Sequence, residues 1–288
     1  MLFRSTDGFV VSPLEFPGGD IGKLCVVGTL NDLAVAGAVP LWLSAAFILE
    51  EGLDLDRLDG IAASMGRTAA GAGVQIVTGD TKVVERGHGD GVYVVTTGVG
   101  RLRPEPPPGP TAACEGDAVI VSGSIGDHGA VIAALRMGLD VGAGLRSDCG
   151  PVFPLVDALY AAGVRPRFLR DPTRGGLVTV LAELAREARR SVELDESALP
   201  VRPEVEGVCA ILGLEPLYLA CEGRLVAVVA PGDADCALAA LRAGPDGAGA
   251  AIVGRIVPET TGPVVLRTRF GGARLYDTLA ADPLPRIC

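Results

Sequence analysis

The stretch Thr78–Gly91, TGDTKVVERGHGDG, sets charged and polar residues among glycines between two apolar runs. Val74–Val77 before it and Val92–Val99 after it read as strands, rich in β-branched residues. The stretch itself reads as a glycine-studded loop. It carries Asp80, Lys82, Glu85, Arg86 and His88. Glu85 and Arg86 fit a solvated loop. His88, between two glycines, has little to pack against and reads as a polar group with a task.

Outward from this loop, helices and strands alternate. Towards the N-terminus, a helix starts at Asp54, with Leu55, Leu58, Ile61, Ala62 and Met65 on one face and Gly71 and Gly73 closing it. Leu41–Leu49 reads as a buried strand, and Gly18–Ala36 as a helix of small and apolar residues. Asp7 sits on a strand near the start. Towards the C-terminus, Arg103–Pro110 (RPEPPPGP) excludes helix and central strand and reads as a hinge or linker. A second alternating region follows. It comprises strand Ala118–Val121, a helix from Gly129 to Met137, helix Leu177–Arg189, strand Arg224–Ala230, helix Asp233–Ala243, strand Ala251–Val257, and a hairpin of Val264–Thr268 with Ala273–Tyr276. Such alternation implies an α/β or α+β layer in each half. A length of 288 residues suits about two domains at ~150 residues each. We divide the chain into residues 1–103, 104–276 and a tail, 277–288.

Composition narrows the function. A net charge of −10 makes unspecific nucleic-acid binding a poor reading. No apolar run reaches the ~18 residues of a membrane span. The start lacks a basic-then-apolar leader, so a cytoplasmic location is expected. Seven cysteines are scattered without a CxxC pair, which argues against a zinc cage or disulfide framework. Cys288 differs from the rest because nothing follows it to bury it. Pro283 and Pro285 exclude regular structure in the tail. Twelve extended residues reach roughly 40 Å, so the tail is expected to be a mobile arm tipped by a thiol.

Five acids sit in turns or among small residues: Asp7 (STDG), Asp32 (LNDLA), Asp80 (TGDTK), Asp127 (IGDHG) and Asp171 (RDPTRGG). Mg²⁺–nucleotide sites use one to three such carboxylates, and phosphates and water complete the shell. Aspartate is also common in turns and helix caps. SGSIGDHG and DPTRGGL, with Arg174, each lead into a helix whose first N–H groups suit an anion. Walker A spacing is absent, and PGGDIGK with Lys23 is by itself a weak phosphate signal. Glu222, in ACEGR, is an unremarkable acid in a turn.

In order along the chain, PGGDIGK, GTLNDLAVAGA, TGDTKVVERGHGDG, SGSIGDHG, DPTRGGL and terminal PRIC resemble the HypE family of hydrogenase maturation factors. The resemblance runs from Asp7 to Cys288. It implies a PurM-like two-domain fold, shared with aminoimidazole ribonucleotide and selenophosphate synthetases, with a dimerising N-terminal sheet. It implies that a HypF-type enzyme carbamoylates the terminal cysteine and that ATP then drives dehydration of the thiocarboxamide to a thiocyanate. The cyanide passes to iron held by a HypC–HypD complex, for [NiFe] hydrogenase. By the same resemblance, Asp7, Asp32, Asp80 and Asp171 are Mg²⁺-ATP carboxylates, and Lys23 and Asn31 help hold the nucleotide. Lys82, His88 and Glu222 surround the modified Cys288, with Glu222 and Lys82 handling protons. Family members begin further upstream, with a glycine-rich segment and another acidic strand. The resemblance therefore implies either a misassigned start or a shortened first domain, the latter with a weakened nucleotide site and dimer. Two alternatives stay open: another PurM-like synthetase or kinase with the tail as a lid, and a non-catalytic carrier.

Overall fold

The computed structural model describes residues 1–142, 144–281 and 284–288. Pro283, invoked above to exclude regular structure, lies outside the described residues.

The first half contains β1 (Leu2–Phe9), a short hairpin of β2 (Glu15–Phe16) and β3 (Gly19–Asp20), α1 (Ile21–Val35), β4 (Ala38–Glu50), α2 (Leu55–Gly71), β5 (Gln75–Val84) and β6 (Val92–Leu102). Its sheet runs β1-β6-β4-β5, and only β4–β5 is parallel. A parallel pair needs a crossover, which α2 provides. Asp20 caps α1 by accepting from the Lys23 N–H. Most of α1 is buried on every side, because it is wedged between this sheet and the second half. Gly22 is what lets α2 approach: a Cβ there would lie 2.3 Å from the Ile61 carbonyl oxygen.

TGDTKVV is strand, not loop. β5 continues through it to Val84, in register with β4 as far as Glu50. Pairing with a long neighbour overrides the local glycine, and the loop proper begins at Glu85. β5 is the sheet edge, and Val77 and Val83 are exposed on it. β4 starts earlier than the apolar run suggests. It accommodates Pro40 at a register shift between Pro40 and Trp42.

The second half comprises β7 (Ala118–Val121), α3 (Asp127–Arg136), α4 (Phe153–Ala161), β8 (Phe168–Arg170), α5 (Gly176–Ala188), β9 (Ser191–Asp195), α6 (Pro203–Leu212), β10 (Val226–Val229), α7 (Ala234–Ala243), β11 (Ala251–Val257), β12 (Val264–Arg267) and β13 (Ala273–Tyr276). The sheet order is β13-β12-β9-β11-β7-β10-β8, antiparallel except for β9–β12. Helix α5 closes one face over Val192, Leu194, Val253 and Leu266. Helices α4 and α7 close the other over Ile120, Ala227 and Val229. The mixed α/β layering agrees with the alternation in the sequence. Helices α4 and α6 and strands β8 and β9 were not read from the sequence.

Residues 103–110 cross between the sheets pressed against the fold. Arg103 pairs with Asp157 of α4, the Tyr160 hydroxyl donates to the Glu105 carbonyl, and Pro106 and Pro107 cover Gly37. Side chains of both halves share one apolar cluster, with Leu24 and Val94 from the first and Ile132, Val205 and Ile287 from the second.

Candidate active site

Asp7 on β1, Asp32 on α1 and Asp171 after β8 come together where the halves meet. Asp7 and Asp32 share a side-chain hydrogen bond, Ser5 Oγ donates to Asp32 at 2.6 Å, and Thr29 Oγ1 donates to Asp7 at 3.3 Å. Burial and then the Asp32 charge push Asp7 up to about 6. Asp171 is pushed to about 7, again by burial first and Asp32 second. Such mutual repulsion is what a divalent cation would relieve. Among the described residues no group of three or more His, Cys, Asp or Glu side chains is disposed to hold a metal ion. Arg174 draws Asp7 back down. It also lines, with Arg170, Thr173 and Thr179, a cavity of about 370 Å³ at the N-terminus of α5.

Glu222 is 2% exposed, and its Oε1 has no hydrogen-bond partner. Burial, then the charges of Asp148 and Asp171, hold its carboxyl well above the usual range. Its backbone is held from the other half of the molecule. Asn31 Nδ2 donates to the carbonyls of Glu222 and Gly150, both at 3.2 Å, and Asn31 Oδ1 accepts from Val152 N at 2.8 Å. Asp148 accepts from Gly223 N at 3.0 Å and from His128 N at 3.2 Å. Gly223 is required here, because a Cβ would lie 1.9 Å from the Asp148 carbonyl oxygen.

The chain's end enters this site. The Cys288 thiol donates a hydrogen bond to Glu222, which draws its carboxyl back down. Residues 286–288 run beside 10–12: Val10 N donates to Cys288 O at 3.0 Å and Ser12 N to Arg286 O at 3.3 Å. Ile287 is buried. The final residues are held through backbone oxygens and one apolar plug, interactions invisible to composition.

Comparison with known proteins bears on the site's chemistry. Residues 1–102 match the N-terminal domain, and residues 115–266 the C-terminal domain, of AIR synthase related proteins. The "Carbamoyl dehydratase HypE" of Rhodobacter capsulatus is 55% identical over 288 residues, covering 99% of this chain and 84% of the relative. This chain belongs to the HypE family of carbamoyl dehydratases. A crystal structure of hydrogenase maturation protein HypE in complex with ATP has a TM-score of 0.96 and 46% identity, covering 100% of this chain and 87% of that one. A HypE–HypF complex has a TM-score of 0.92 and 40% identity, covering 96% and 90%.

Within this HypE-family chain, the other expected site residues lie apart from the acid cluster. Asp80 and Lys82 form an exposed ion pair on β5 at 2.6 Å, and Lys82 with the Thr81 N–H pulls the Asp80 carboxyl below its ordinary value. His88 is exposed beside Glu85, at 4.0 Å. Lys23 Nζ donates to the Gly18 carbonyl at 2.9 Å. Asn31, expected at the nucleotide, spends its amide on the three backbone partners named above. The SGSIGDHG turn is filled by the protein itself: Gly126 N donates to Cys221 Sγ, and Asp127 pairs with Ser124 and Arg202.

Three residues that sequence reasoning passed over, Asp148, His128 and Arg136, organise the site. His128 was legible only as one of two histidines, within a turn read as a phosphate loop. Arg136 closes α3 as an ordinary helix-end cation. Asp148 had no local signal.

Proposed function

We propose that the chain dehydrates a carbamoyl group carried on the sulfur of its own Cys288, with ATP as phosphoryl donor, making the thiocyanate that supplies cyanide for [NiFe] hydrogenase iron. The observation that carries this reading is the terminal thiol seated on buried Glu222, beside Asp148 and Asp171 and near Asp32 of the other half.

The chemistry balances as follows. The carbamoyl oxygen attacks the γ-phosphorus of ATP, ADP leaves, and one N–H proton is lost. The C–O bond then breaks to release phosphate, the second N–H proton departs, and the carbon is left triply bonded to nitrogen. Oxygen leaves as phosphate, so no water need be expelled from a closed site. Carbamoylation replaces the S–H donor with an N–H donor further along the tail, and Glu222 is placed to accept it. Its raised affinity for protons makes the ionised form a stronger base than an ordinary carboxylate. Asp7, Asp32 and Asp171 would hold Mg²⁺, which neutralises phosphate charge when bound. The Arg174 cavity suits the phosphates. A tethered substrate replaces diffusive capture with an effective concentration of order mM.

The relative crystallised with HypF supports a HypF-type carbamoyl donor for Cys288, and family membership supports a HypC–HypD acceptor of the cyanide. We place Asp80, Lys82 and His88 at the partner's site in a homodimer, since β5 offers Asp80 and Lys82 on an exposed sheet edge and His88 follows in the exposed loop after it. No described helix is long and apolar enough to cross a membrane.

The test is the mass of the Cys288 fragment, first after the carbamoyl donor system and then after Mg-ATP. Gain of a carbamoyl group followed by loss of one water is expected. Undiminished cyanation by Cys288→Ala would refute the proposal.

A further inference from the structure

The tail is held almost wholly through its main chain. The Pro285 carbonyl accepts from Arg136 Nη1 at 2.6 Å, and the Arg286 carbonyl accepts from Ser12 N and the same guanidinium. The Ile287 carbonyl accepts from His128 Nε2 at 2.7 Å, and the terminal carboxylate of Cys288 from Val10 N. Three successive carbonyls and the terminal carboxylate are thus taken by donors of the fold. The His128 donor is pre-set. A carbonyl only accepts, so Nε2 must carry the hydrogen. Burial lowers the ring's proton affinity and keeps it neutral, so Nδ1 accepts from Ser147 Oγ at 2.8 Å. That hydroxyl oxygen in turn accepts from Cys149 N at 3.0 Å.

Two side chains add selectivity. Ile287 is 3% exposed within the shared core. Arg286 takes a φ of +58°, a left-handed bend beside the buried Ile287, and its guanidinium pairs with Asp90 at 3.3 Å. None of these contacts uses residues 277–281. Those are held separately, by Tyr218 and Arg186 on Asp277 and Thr278.

We infer that this groove is a peptide-binding site that works without the tether and accepts the Leu284–Cys288 segment of a second copy of this chain. The inference concerns binding alone and stands apart from the dehydration chemistry above. Its strength is bounded from below: a short tether supplies an effective concentration of order mM, so a tail that rests docked implies a dissociation constant for the untethered segment below about 1 mM.

The experiment uses the full-length chain. Ile287→Asp places a carboxylate where an apolar plug sits, so the chain's own tail leaves, and Cys288 alkylation by iodoacetamide accelerates at least ~10-fold. A fluorescent Leu-Pro-Arg-Ile-Ser peptide then binds this variant saturably below about 1 mM and binds wild type several-fold more weakly, because the tethered tail competes. Adding His128→Ala weakens peptide binding at least ~10-fold, and a peptide with aspartate in place of isoleucine does not bind. On wild type, excess unlabelled peptide speeds Cys288 alkylation by displacing the tail, which decides the matter should the variants fail to fold. Unchanged Cys288 alkylation in a folded Ile287→Asp, equal binding of the aspartate peptide, or no acceleration on wild type at ~10 mM peptide would overturn the inference.

Discussion

At the scale of single residues, the site is a gathering of acids that disfavour one another's charge. Glu222 is the one touching the thiol, and its argued task is to take a proton. Glu222→Gln keeps the size and a hydrogen-bond acceptor but removes the base. Water loss from the carbamoylated Cys288 fragment should slow by ~10²–10⁴-fold, while calorimetry shows unchanged Mg-ATP affinity. Asp7 and Asp171 give a second prediction. Both bind a proton more tightly folded, at about 6 and about 7, than at the ordinary 3.8. The stability they contribute is complete below about pH 4 and is lost as pH rises through their folded values. In chelator, the thermal midpoint should therefore fall between about pH 5 and pH 8, and saturating Mg²⁺ should flatten that slope. A chelated midpoint that climbs over this range would contradict the assignment. Turn and small-residue contexts singled out five acids, Asp7, Asp32, Asp80, Asp127 and Asp171, and only the family resemblance chose among them. Glu222 was not legible by itself, since its character comes from burial.

At the scale of elements, α1 links the two tasks. Neighbouring residues on a helix point roughly 100° apart. Asp32 thus faces Asp7 and Asp171, while Asn31 faces the loops that carry Glu222 and Gly150. Asn31→Ala removes three hydrogen bonds and strands buried backbone groups, at a cost of about 2–4 kcal/mol. Urea unfolding measures the loss, and cyanation should slow even where the variant remains folded. Asn31→Asp should be worse, since a carboxylate cannot donate to either carbonyl and stands next to Asp32. An Asn31→Ala midpoint equal to wild type would refute the clamp. The sequence offered LNDLA as one acidic, small-residue helix. It could not say that one residue joins the acid cluster while the other clamps the backbone around Glu222, because helix periodicity orients faces only relative to one another.

At the scale of the whole molecule, the exposed edge strand β5 holds Asp80 and Lys82 away from the chain's own thiol. If a partner supplies them, two defective chains can repair each other. Lys82→Ala and Cys288→Ala should each be inactive alone. Co-refolded or co-expressed, the pair should regain about a quarter of wild-type activity, because mixed dimers are half the population and carry one intact site of two. No recovery in verified mixed dimers would place Lys82 at its own chain's site or at none.

Family membership, the mixed α/β layering and the singular terminal cysteine were all set by contiguous residues. Each is written in a local pattern of turn, helix or motif, and local sterics and capping act over a few positions. Only the tertiary structure decided which of these groups meet. Asn31 reaches the Glu222 carbonyl across 191 residues, and His128 reaches the Ile287 carbonyl across 159. Periodicity carries no record of such distant partners. They are chosen by how two sheets and one buried helix pack, and by the low-dielectric interior that this packing creates around the thiol.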